Sequence, residues 1–511
     1  MTKSWIVQKF GGTSVGKFPL KIANDIVKVY SQDHQVAVVC SARSTDTKAE
    51  GTTTRLLTAA DKALSGDDFS ESLEAIRTSH FAAAREYIKS QDLLTQLEAD
   101  IERECNNVIA IISAARVIEE VSPRTLDSII SAGEKLSCLY MAALISDNGV
   151  PAKYVDLSHV IPSSYSQDHH SPNQQGLDKE FYKFLVAQIK HEIEACQGFV
   201  PIITGFFGSV PGGLLENVGR GYTDLCAALA AVAMEAEELQ IWKEVDGIFT
   251  ADPRKVPTAR LLSIITPEEA AELTYYGSEV IHPFTMEQVI NAHIPIRIKN
   301  VMNPKGSGTI VYPNNVAMPG EATPPHPPVA LEKLAASNFH HKKIKGPTAV
   351  TTKNNIIVLN VHSNRRDLSH GFLAHVFSIL DKWKLVVDLI STSEVRVSMA
   401  LHSGLSEPHF KDALTELRKY GTVDVTRKLC IVSLVGTQMK QSIGTAGQMF
   451  STLAEAGVNI EMISQGASEI NISAVIEQKD SLKALNVLHQ RLLCQPKVPS
   501  LLNLAELSNH V

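Results

Sequence analysis

The chain has 511 residues, of which 44% are hydrophobic and 20% charged, and its formal net charge is -7 with an isoelectric point near 6.2. This composition is typical of a soluble globular protein of two to four domains. The acidic balance argues against nucleic acid or an anionic membrane as the main partner, because those partners need a basic face. Seven scattered cysteines without a C-x-x-C pair indicate neither a disulfide framework nor a zinc site. The chain shows no signal-peptide pattern and no apolar run near ~18 residues, so we expect a cytoplasmic protein.

The first predicted element is an apolar strand that ends in a lysine and runs into a glycine-rich turn, IVQKFGGTSVGK at residues 6–17. Glycine lets the main chain approach an anion closely, and consecutive amides beside a lysine suit a polyphosphate. The turn also matches G-x-x-x-x-G-K. However, Phe18 and Pro19 stand where a Walker A loop needs a Mg²⁺-binding Ser or Thr, which argues against a P-loop. The motif by itself would also fit a glycine turn without a ligand.

Short β-branched runs alternate with long helical stretches from residue 1 to about residue 312. Examples are the runs at 36–39, 202–204 and 239–242 and the helical stretches at 69–118 and 126–147. This alternation predicts a three-layer α/β domain with a mainly parallel sheet, whose ligands should lie at the carboxyl ends of strands. Three residues directly follow or end such runs: Lys9, Ser41 and Gly205.

Proline interrupts this pattern between residues 313 and 328, where six of sixteen residues are proline. Such a segment favours an extended connector without a packed core. We therefore predict a catalytic domain at 1–312 and a proline-rich linker at 313–345.

The rest of the chain contains an internal repeat. IVLNV at 357–361 matches CIVSL at 430–434, and the match continues through a glycine loop, a helix and two further strands. A second helix follows each copy. The pattern predicts two ferredoxin-like βαββαβ domains, at 346–428 and 429–511.

Several motifs together carry a resemblance to a known family. They are KFGGTSV at 9–15, GE at 133–134, GRxxxD at 219–224, VDGIFTxDPR at 245–254 and HP at 282–283, followed by the two repeats. With these motifs the chain resembles the monofunctional aspartate kinases (aspartokinases) of the fungal type over essentially its full length. The resemblance implies an amino-acid-kinase-like three-layer domain followed by two ACT domains.

The activity that the resemblance implies is transfer of the ATP γ-phosphoryl to the β-carboxylate of L-aspartate. The product is 4-phospho-L-aspartate, at the first step of threonine, methionine and isoleucine synthesis. A carboxylate is already ionised at neutral pH, so the site must position two anions and stabilise charge rather than supply a base. Lys9 is the catalytic candidate that neutralises the phosphoryl, and Asp224 either orients Lys9 or lies near the metal and phosphates. A surface lysine and a helix N-cap are the alternatives for these two residues. We expect Mg²⁺ to be carried by ATP, without ligands from protein side chains.

The resemblance also implies residues that contact the two substrates. Arg220 can hold a carboxylate through two parallel hydrogen bonds, and Glu134 can pair with the substrate ammonium. A surface ion pair and a solvated helix face are the alternatives for these two side chains. The full set for aspartate is Ser41, Thr54, Glu134, Arg220, Gly221, Tyr222 and Thr223. The full set for ATP is Lys9, Gly11, Gly12, Thr13, Ser14, Lys243, Glu244, Phe249, Arg254, Glu279 and Val280.

Two charges depart from the pattern of many bacterial members. Glu279 stands where those members carry a lysine, and Lys243-Glu244 stands where they carry threonine-aspartate. A carboxylate cannot replace an ammonium against ATP. A charge swap between Lys243 and Glu279 is therefore our hypothesis for ATP binding in this chain.

The two ACT-like repeats imply feedback control by an amino acid bound between two copies. The candidate contacts for this effector are Gly371, Phe372, Leu373, Val387, Asp388, Ser393 and Glu394. A glycine turn and a solvated acid at a strand end are the alternatives for these positions. Fungal relatives respond mainly to threonine, so we expect threonine first and lysine second. Because ACT repeats usually pair across chains, we expect a homodimer or a higher homo-oligomer.

Two other functions stay open at this point. Another amino-acid kinase, such as a glutamate or acetylglutamate kinase, would lack this arrangement of two tail repeats. A catalytically inactive amino-acid sensor would keep the repeats without needing Lys9, Arg220 and Asp224, all of which are present. No reductase domain follows the repeats, so we expect no homoserine dehydrogenase activity.

Overall fold

The structure is a computed structural model that describes residues 3–44, 50–162, 179–208, 210, 213–218, 221–275, 281, 283–312, 346–363, 371–393, 395–402 and 406–494. Contacts between Cα atoms divide the chain into two compact units. The first comprises Met1–Ile248, Ser263–Pro267 and Ile281–His326, and the second comprises Phe249–Leu262, Glu268–Val280 and Pro327–Val511. Residues 249–262 and 268–275 thus group with the C-terminal repeats, although they precede the predicted boundary at residue 312. The predicted linker at 313–345 lies outside the described residues.

An eight-stranded sheet forms the centre of the first unit, in the order β3-β4-β2-β1-β5-β7-β8-β6. Every neighbouring pair is parallel except β7 with β8, so the prediction of a mainly parallel sheet is confirmed. The central strands are nearly continuous runs of buried residues, as expected for a parallel sheet that helices cover on both faces. The strands are β1 (Trp5–Phe10), β2 (Gln35–Cys40), β3 (Ala152–Val155), β4 (Val200–Thr204), β5 (Glu238–Lys243), β6 (Ile264–Ile265), β7 (Ile296–Asn300) and β8 (Thr309–Val311).

Helices cover both faces of this sheet. They are α1 (Gly12–Lys17), α2 (Pro19–Lys21, continued by a π-helical turn at Ile22–Val27 and by Lys28–Asp33), α3 (Thr52–Ser65), α4 (Ser70–Tyr87), α5 (Gln91–Ile118), α6 (Pro123–Asp147), α7 (Lys179–Glu194), α8 (Leu214–Val218), α9 (Tyr222–Ala233) and α11 (Pro283–Asn291). The intervening helix α10 (Pro267–Tyr275) groups with the second unit from Glu268 on. One face of the sheet joins the large apolar cluster formed with α2 to α6. The other face packs against α9, which contacts β1, β2 and β5.

The central helix of the first unit is α6. The hydroxyl of Ser122 accepts the Thr125 amide at its start, and Pro123 occupies the first turn, where its missing N–H is not needed. By length and composition alone α6 could cross a membrane, but 78% of its most apolar window is buried inside the protein. It is therefore placed as a core helix. Its buried face carries Asp127, Ile130 and Glu134, whose spacing puts them on one side of the helix.

The second unit contains a six-stranded antiparallel sheet in the order β10-β11-β9-β12-β14-β13. Its two edge strands, β10 and β13, contact each other. One face of the sheet buries a small apolar cluster to which both edge strands contribute. The other side packs against the helices of the two repeats in two separate apolar clusters. The elements are β9 (Ala349–Ser363), α12 (Phe372–Lys382), β10 (Val387–Thr392), β11 (Arg396–His402), α13 (Glu407–Leu417), β12 (Gly421–Val435), α14 (Thr445–Glu455), β13 (Met462–Gln465), β14 (Asn471–Glu477) and α15 (Ser481–Leu488).

Each ferredoxin-like half uses part of the two long strands β9 and β12. The stretch 356–363 of β9 pairs with the start of β12, within the first repeat. The stretch 349–353 pairs with 431–435, within the second repeat. The prediction of two ferredoxin-like repeats is confirmed. However, the fourth strand of the second repeat is the stretch 349–353, which comes before the first repeat in the chain. The predicted limits assign this stretch to the first ACT-like domain.

The segment 249–262 and the helix α10 fold against the second repeat. Ala251 and Val256 join its apolar core, and Thr250 Oγ1 hydrogen bonds to the buried His489 ring at 2.8 Å. Glu269 on α10 is buried and accepts hydrogen bonds from the hydroxyls of Thr348 and Thr437 at 2.7 and 3.0 Å. These contacts explain why the two segments belong to the second unit.

Candidate active site

Lys9 lies near the carboxyl end of β1 and forms an ion pair with Asp224. The distance from Nζ to Oδ1 is 2.6 Å, and the two side chains are only 11% and 14% exposed. Asp224 lies in the first turn of α9, whose N-cap is Gly221, so Asp224 is not the helix N-cap. A solvated surface lysine is not observed either. The ion pair holds the Lys9 ammonium at the sheet edge where ligands of parallel α/β folds bind.

The glycine-rich turn between β1 and α1 packs directly against the chain that follows β2. The Gly12 carbonyl accepts the Ser44 amide at 3.0 Å. A Cβ atom at Gly12 would lie 2.0 Å from the Ala42 carbonyl oxygen, so only glycine allows this close approach. Ser14 is buried and donates its hydroxyl to Glu244 at 2.7 Å. The turn is therefore tied both to the loop after β2 and to the residue after β5.

Glu134 is a buried carboxylate on α6. Thr223 Oγ1 donates to its Oε1 at 2.7 Å, and the Tyr222 hydroxyl and the Phe206 amide lie beside the same carboxylate. Burial raises the pKa of Glu134 from its ordinary value of 4.5 to about 7. The neighbouring donors and the charge of Lys9 oppose this increase. Glu134 is thus an acid at the protein interior whose charge is not fully compensated, rather than a solvated helix residue.

A cavity of about 350 Å³ opens beside these residues. Five of the predicted aspartate contacts line it: Ser41, Thr54, Glu134, Tyr222 and Thr223. Gly12 and Thr13, from the predicted ATP set, line it too. The structure therefore brings together residues from five separate stretches of the sequence around a space large enough for a small polar molecule.

Not every lining residue was singled out from the sequence. Thr52 and Thr53 directly precede the predicted Thr54 at the start of α3. Ile130 lies one helical turn before the predicted Glu134. Their closeness to predicted residues was the signal in the sequence that could have identified these three. Leu215 of α8 offered no such signal. Arg43 also lines the cavity, but its guanidinium donates to the Ser79 carbonyl and hydroxyl at 3.1 and 2.8 Å, which indicates a structural role.

The remaining predicted residues lie elsewhere or outside the described residues. Lys243 ends β5 and Glu244 follows it. Phe249 and Arg254 belong to the second unit, where the Arg254 guanidinium forms two hydrogen bonds to Asp252 at 2.9 and 3.0 Å. Gly11 is the N-cap of α1. Arg220, Glu279, Val280 and Glu394 fall outside the described residues, so their roles and the charge swap stay predictions.

The predicted effector residues lie in the first repeat. Gly371 is the N-cap of α12, with a left-handed φ of 86°, and Phe372 begins that helix. Asp388 on β10 forms an ion pair with Lys353 at 2.7 Å, so it is not a solvated strand-end acid. The other Asp388 oxygen, Oδ2, is buried and has no hydrogen-bond partner among the described residues. Leu373, Val387 and Ser393 flank these positions at or near the surface.

Comparison with known proteins agrees with this architecture. The amino acid kinase family profile matches residues 4–300, and an ACT domain profile matches residues 432–492. The chain is 60% identical over 500 residues to the aspartokinase of Candida albicans, covering 96% of this chain and 90% of that protein. It is 59% identical over 502 residues to the aspartokinase of Saccharomyces cerevisiae, with coverage of 96% and 93%. The chain belongs to the aspartokinase family.

Solved aspartokinase structures share the fold over nearly the whole chain. E. coli aspartokinase III in complex with aspartate and ADP is 28% identical, with a TM-score of 0.69, and covers 96% of this chain and 100% of its own. The same enzyme in complex with lysine and aspartate is 27% identical, with a TM-score of 0.72 and coverage of 96% and 99%. This chain is therefore an aspartate kinase with an amino acid kinase domain and ACT domains that support allosteric regulation. The interpretations as a different amino-acid kinase and as an inactive sensor are not supported.

Proposed function

We propose that the cavity beside Glu134 is the aspartate subsite of this kinase and that the glycine-rich turn after β1 holds the ATP phosphates next to it. One observation carries the proposal: Lys9, near the carboxyl end of β1, pairs with Asp224 and lies close enough for its charge to act on Glu134, which lines a cavity of about 350 Å³. The ligands bound in the structure of E. coli aspartokinase III, aspartate and ADP, agree with a pair of subsites for the amino acid and the nucleotide.

In the proposed reaction the β-carboxylate of L-aspartate attacks the γ-phosphorus of ATP. The bond between the γ-phosphorus and the bridging oxygen breaks, ADP leaves, and an acyl phosphate forms. No base is required because the nucleophile is already ionised. Lys9 neutralises charge on the transferring phosphoryl, and Asp224 holds the Lys9 ammonium in place through their ion pair.

Glu134 recognises the α-ammonium of aspartate in this proposal. A buried carboxylate with a raised pKa gains more from an incoming cation than a solvated one does, because its charge is poorly compensated before binding. Thr223 and Tyr222 fix the orientation of the carboxylate. Arg220 is the expected partner of the substrate α-carboxylate.

Magnesium fits the phosphate side of this site as a companion of ATP. The ammonium of Lys9 and the amides of the glycine-rich turn can take phosphate oxygens, while Asp224 and Glu244 supply carboxylates close to those donors. When bound to ATP, Mg²⁺ neutralises part of the triphosphate charge. The protein residues then orient the nucleotide and the nucleophile, and Lys9 neutralises the charge that remains on the transferring phosphoryl.

A coupled assay of ADP release tests the proposal. Aspartate should support turnover, whereas glutamate and N-acetylglutamate should not. Lys9→Ala should lower kcat by at least about 100-fold, the size expected when a group that stabilises the transition state is removed. Lys21→Ala, which removes an exposed lysine from the neighbouring α2, is the matched control and should keep full activity. Full aspartate-dependent turnover by Lys9→Ala would reject the assignment.

For the regulatory amino acid, threonine is our first choice and lysine the second. The ion pair between Asp388 and Lys353 supports an effector site, because the two groups together offer partners for the ammonium and the carboxylate of an amino acid. Inhibition by threonine, lysine and methionine should be titrated separately. Asp388→Asn should raise the threonine concentration needed for half-inhibition; an unchanged value would exclude Asp388 from the effector site.

We also expect a homodimer or higher homo-oligomer in the cytoplasm. Phe377 and Val386 of the first repeat are 41% and 72% exposed, and β10 is an edge strand of the sheet, which supports pairing between chains. All seven cysteines are free thiols, in keeping with a reducing compartment. Light scattering after gel filtration gives the assembly size, and a fluorescent fusion gives the location; a monomeric mass would reject the first expectation.

A further inference from the structure

The short helix α8 is held against α6 by apolar packing and by one buried acidic side chain of α6. Asp127 is 1% exposed and uses both carboxylate oxygens to accept backbone amides at the start of α8. Oδ2 accepts the Leu214 amide at 2.5 Å, and Oδ1 accepts the Leu215 amide at 3.1 Å. A five-residue helix cannot persist by itself, so its position depends on contacts of this kind.

The chain entering α8 is also pressed against α6. Gly213 has a φ of +89°, and a Cβ atom there would lie 2.9 Å from Pro123 Cβ and 3.4 Å from Asp127 Oδ2. Only glycine satisfies both the left-handed backbone and the close contact. The entry to α8 therefore has one position, which is set by the first turns of α6.

The anchored helix leads directly to the aspartate cavity. Leu215 lines that cavity, and three residues after α8 ends the chain reaches Gly221, the N-cap of α9, followed by Tyr222 and Thr223. Glu134 projects into the same cavity from α6 two turns beyond Asp127. One helix thus carries an acid that lines the cavity and, seven residues earlier, the acid that binds the start of α8, which also contributes to the lining.

We propose that Asp127 is a positioning residue for the aspartate subsite: it fixes α8, and with it the Leu215 part of the cavity lining, relative to Glu134, without contacting either substrate. This inference rests on the proposed location of the aspartate subsite. An amide in place of the carboxylate would offer one acceptor oxygen to two amides and would point an N–H group at the second. The part of the subsite lining that α8 contributes would then lose its fixed position, whereas the position of the glycine-rich turn after β1 would not change.

The kinetic signature of this role is a change confined to aspartate. Asp127→Asn should raise the KM for aspartate at least about tenfold, the size expected when a hydrogen bond to a charged group is lost. The KM for ATP should stay within about twofold. A residue that only stabilised the fold would lower the active fraction and leave both KM values unchanged, because the molecules that remain folded would have an intact site.

Asp147 at the other end of α6 provides a matched control. Its two carboxylate oxygens accept the Lys89 and Ser90 amides, each at 2.9 Å, just before α5 begins. The geometry copies that of Asp127, but twenty residues of helix place it roughly 30 Å away. Asp147→Asn should lower the melting temperature and leave the KM for aspartate unchanged.

Three outcomes decide between the possibilities. A raised aspartate KM in Asp127→Asn but not in Asp147→Asn supports the inference. If Asp127→Asn resembles Asp147→Asn, with a lower melting temperature and normal KM values, Asp127 is only structural and the inference fails. Should Asp127→Asn not fold, Leu215→Ala removes a half-buried side chain from the same wall. An unchanged aspartate KM in that variant would overturn the inference, because the anchored helix would have nothing to position.

A further variant separates this inference from the proposed subsite. Glu134→Gln should raise the aspartate KM if the cavity holds aspartate. A normal aspartate KM in Glu134→Gln would reject the subsite itself. A raised aspartate KM in Glu134→Gln together with a normal aspartate KM in Asp127→Asn would reject only the positioning role of Asp127.

Discussion

Replacing Glu134 by glutamine should stabilise the free protein at alkaline pH while it weakens aspartate binding. Burial raises the pKa of this carboxyl from 4.5 to about 7 in the folded protein. A raised carboxyl pKa stabilises the fold most strongly below pH 4.5, and this contribution is lost as the pH rises through about 7. Since one pKa unit corresponds to about 1.4 kcal/mol, wild-type protein should lose roughly 2.5 kcal/mol of stability relative to the variant between pH 5 and pH 8.

Thermal unfolding of the two proteins at pH 5 and pH 8 measures this difference. Glutamine also alters the hydrogen bond from Thr223, but that change is the same at both pH values and cancels in the comparison. The melting temperature of the variant should rise by roughly 5 °C relative to wild type over this interval. If the difference in melting temperature between the variant and wild type is the same at pH 5 and at pH 8, the reasoning is refuted, because Glu134 would then not titrate with a raised pKa.

The same ionisation should control aspartate use. If the ionised carboxylate binds the substrate ammonium, kcat/KM for aspartate should level off above pH 7 and fall about tenfold for each pH unit below it. Glu134→Gln should have a low kcat/KM for aspartate that does not fall in this way below pH 7. The KM for ATP serves as the internal control, since Glu134 lies on the aspartate side of the site. A wild-type profile without a midpoint near pH 7 would contradict the assigned role.

Three further predictions follow from contacts of the site. Lys9→Arg should keep the positive charge but lower kcat at least about tenfold, because a planar guanidinium cannot reproduce the single contact of the ammonium; steady-state ADP release measures this. Ser14→Ala should raise the KM for ATP about threefold by releasing Glu244, and an unchanged value would separate that hydrogen bond from nucleotide binding. Thr223→Val removes a donor that lowers the pKa of Glu134, so the midpoint of the aspartate pH profile should move to higher pH; a shift to lower pH would be inconsistent with that contact.

Much of the fold follows from local patterns in the sequence. The alternation of β-branched runs with helical stretches predicts the parallel sheet because buried strands and amphipathic helices have different periods. The internal repeat predicts two ferredoxin-like domains, because a self-similar stretch of this length corresponds to two copies of one small fold. The sharing of β9 and β12 between the halves has no local signal, because a fifteen-residue strand that serves two partners has the same pattern as one that serves a single partner.

The site was predictable where motif and chemistry coincide. Lys9 next to a glycine-rich turn, and Asp224 four residues after a glycine-flanked arginine, indicated charge stabilisation. The ion pair between Lys9 and Asp224 agrees with the orienting role considered for Asp224. The raised pKa of Glu134 was not predictable. It depends on how completely α6, α9 and the chain after β4 exclude water from one carboxylate, which is a property of the packed structure.

The segment after β5 marks the clearest limit of reasoning from local pattern. The VDGIFT and DPR motifs, at 245–250 and 252–254, indicate a nucleotide loop. The sequence pattern shows that some residues of this segment are apolar, but it does not show which hydrophobic core they pack into. In the structure Ala251 and Val256 pack into the second repeat, and the Thr250 carbonyl accepts the Val350 amide of β9 at 2.9 Å. Residues predicted to contact ATP are therefore carried by backbone that is hydrogen bonded to the regulatory sheet.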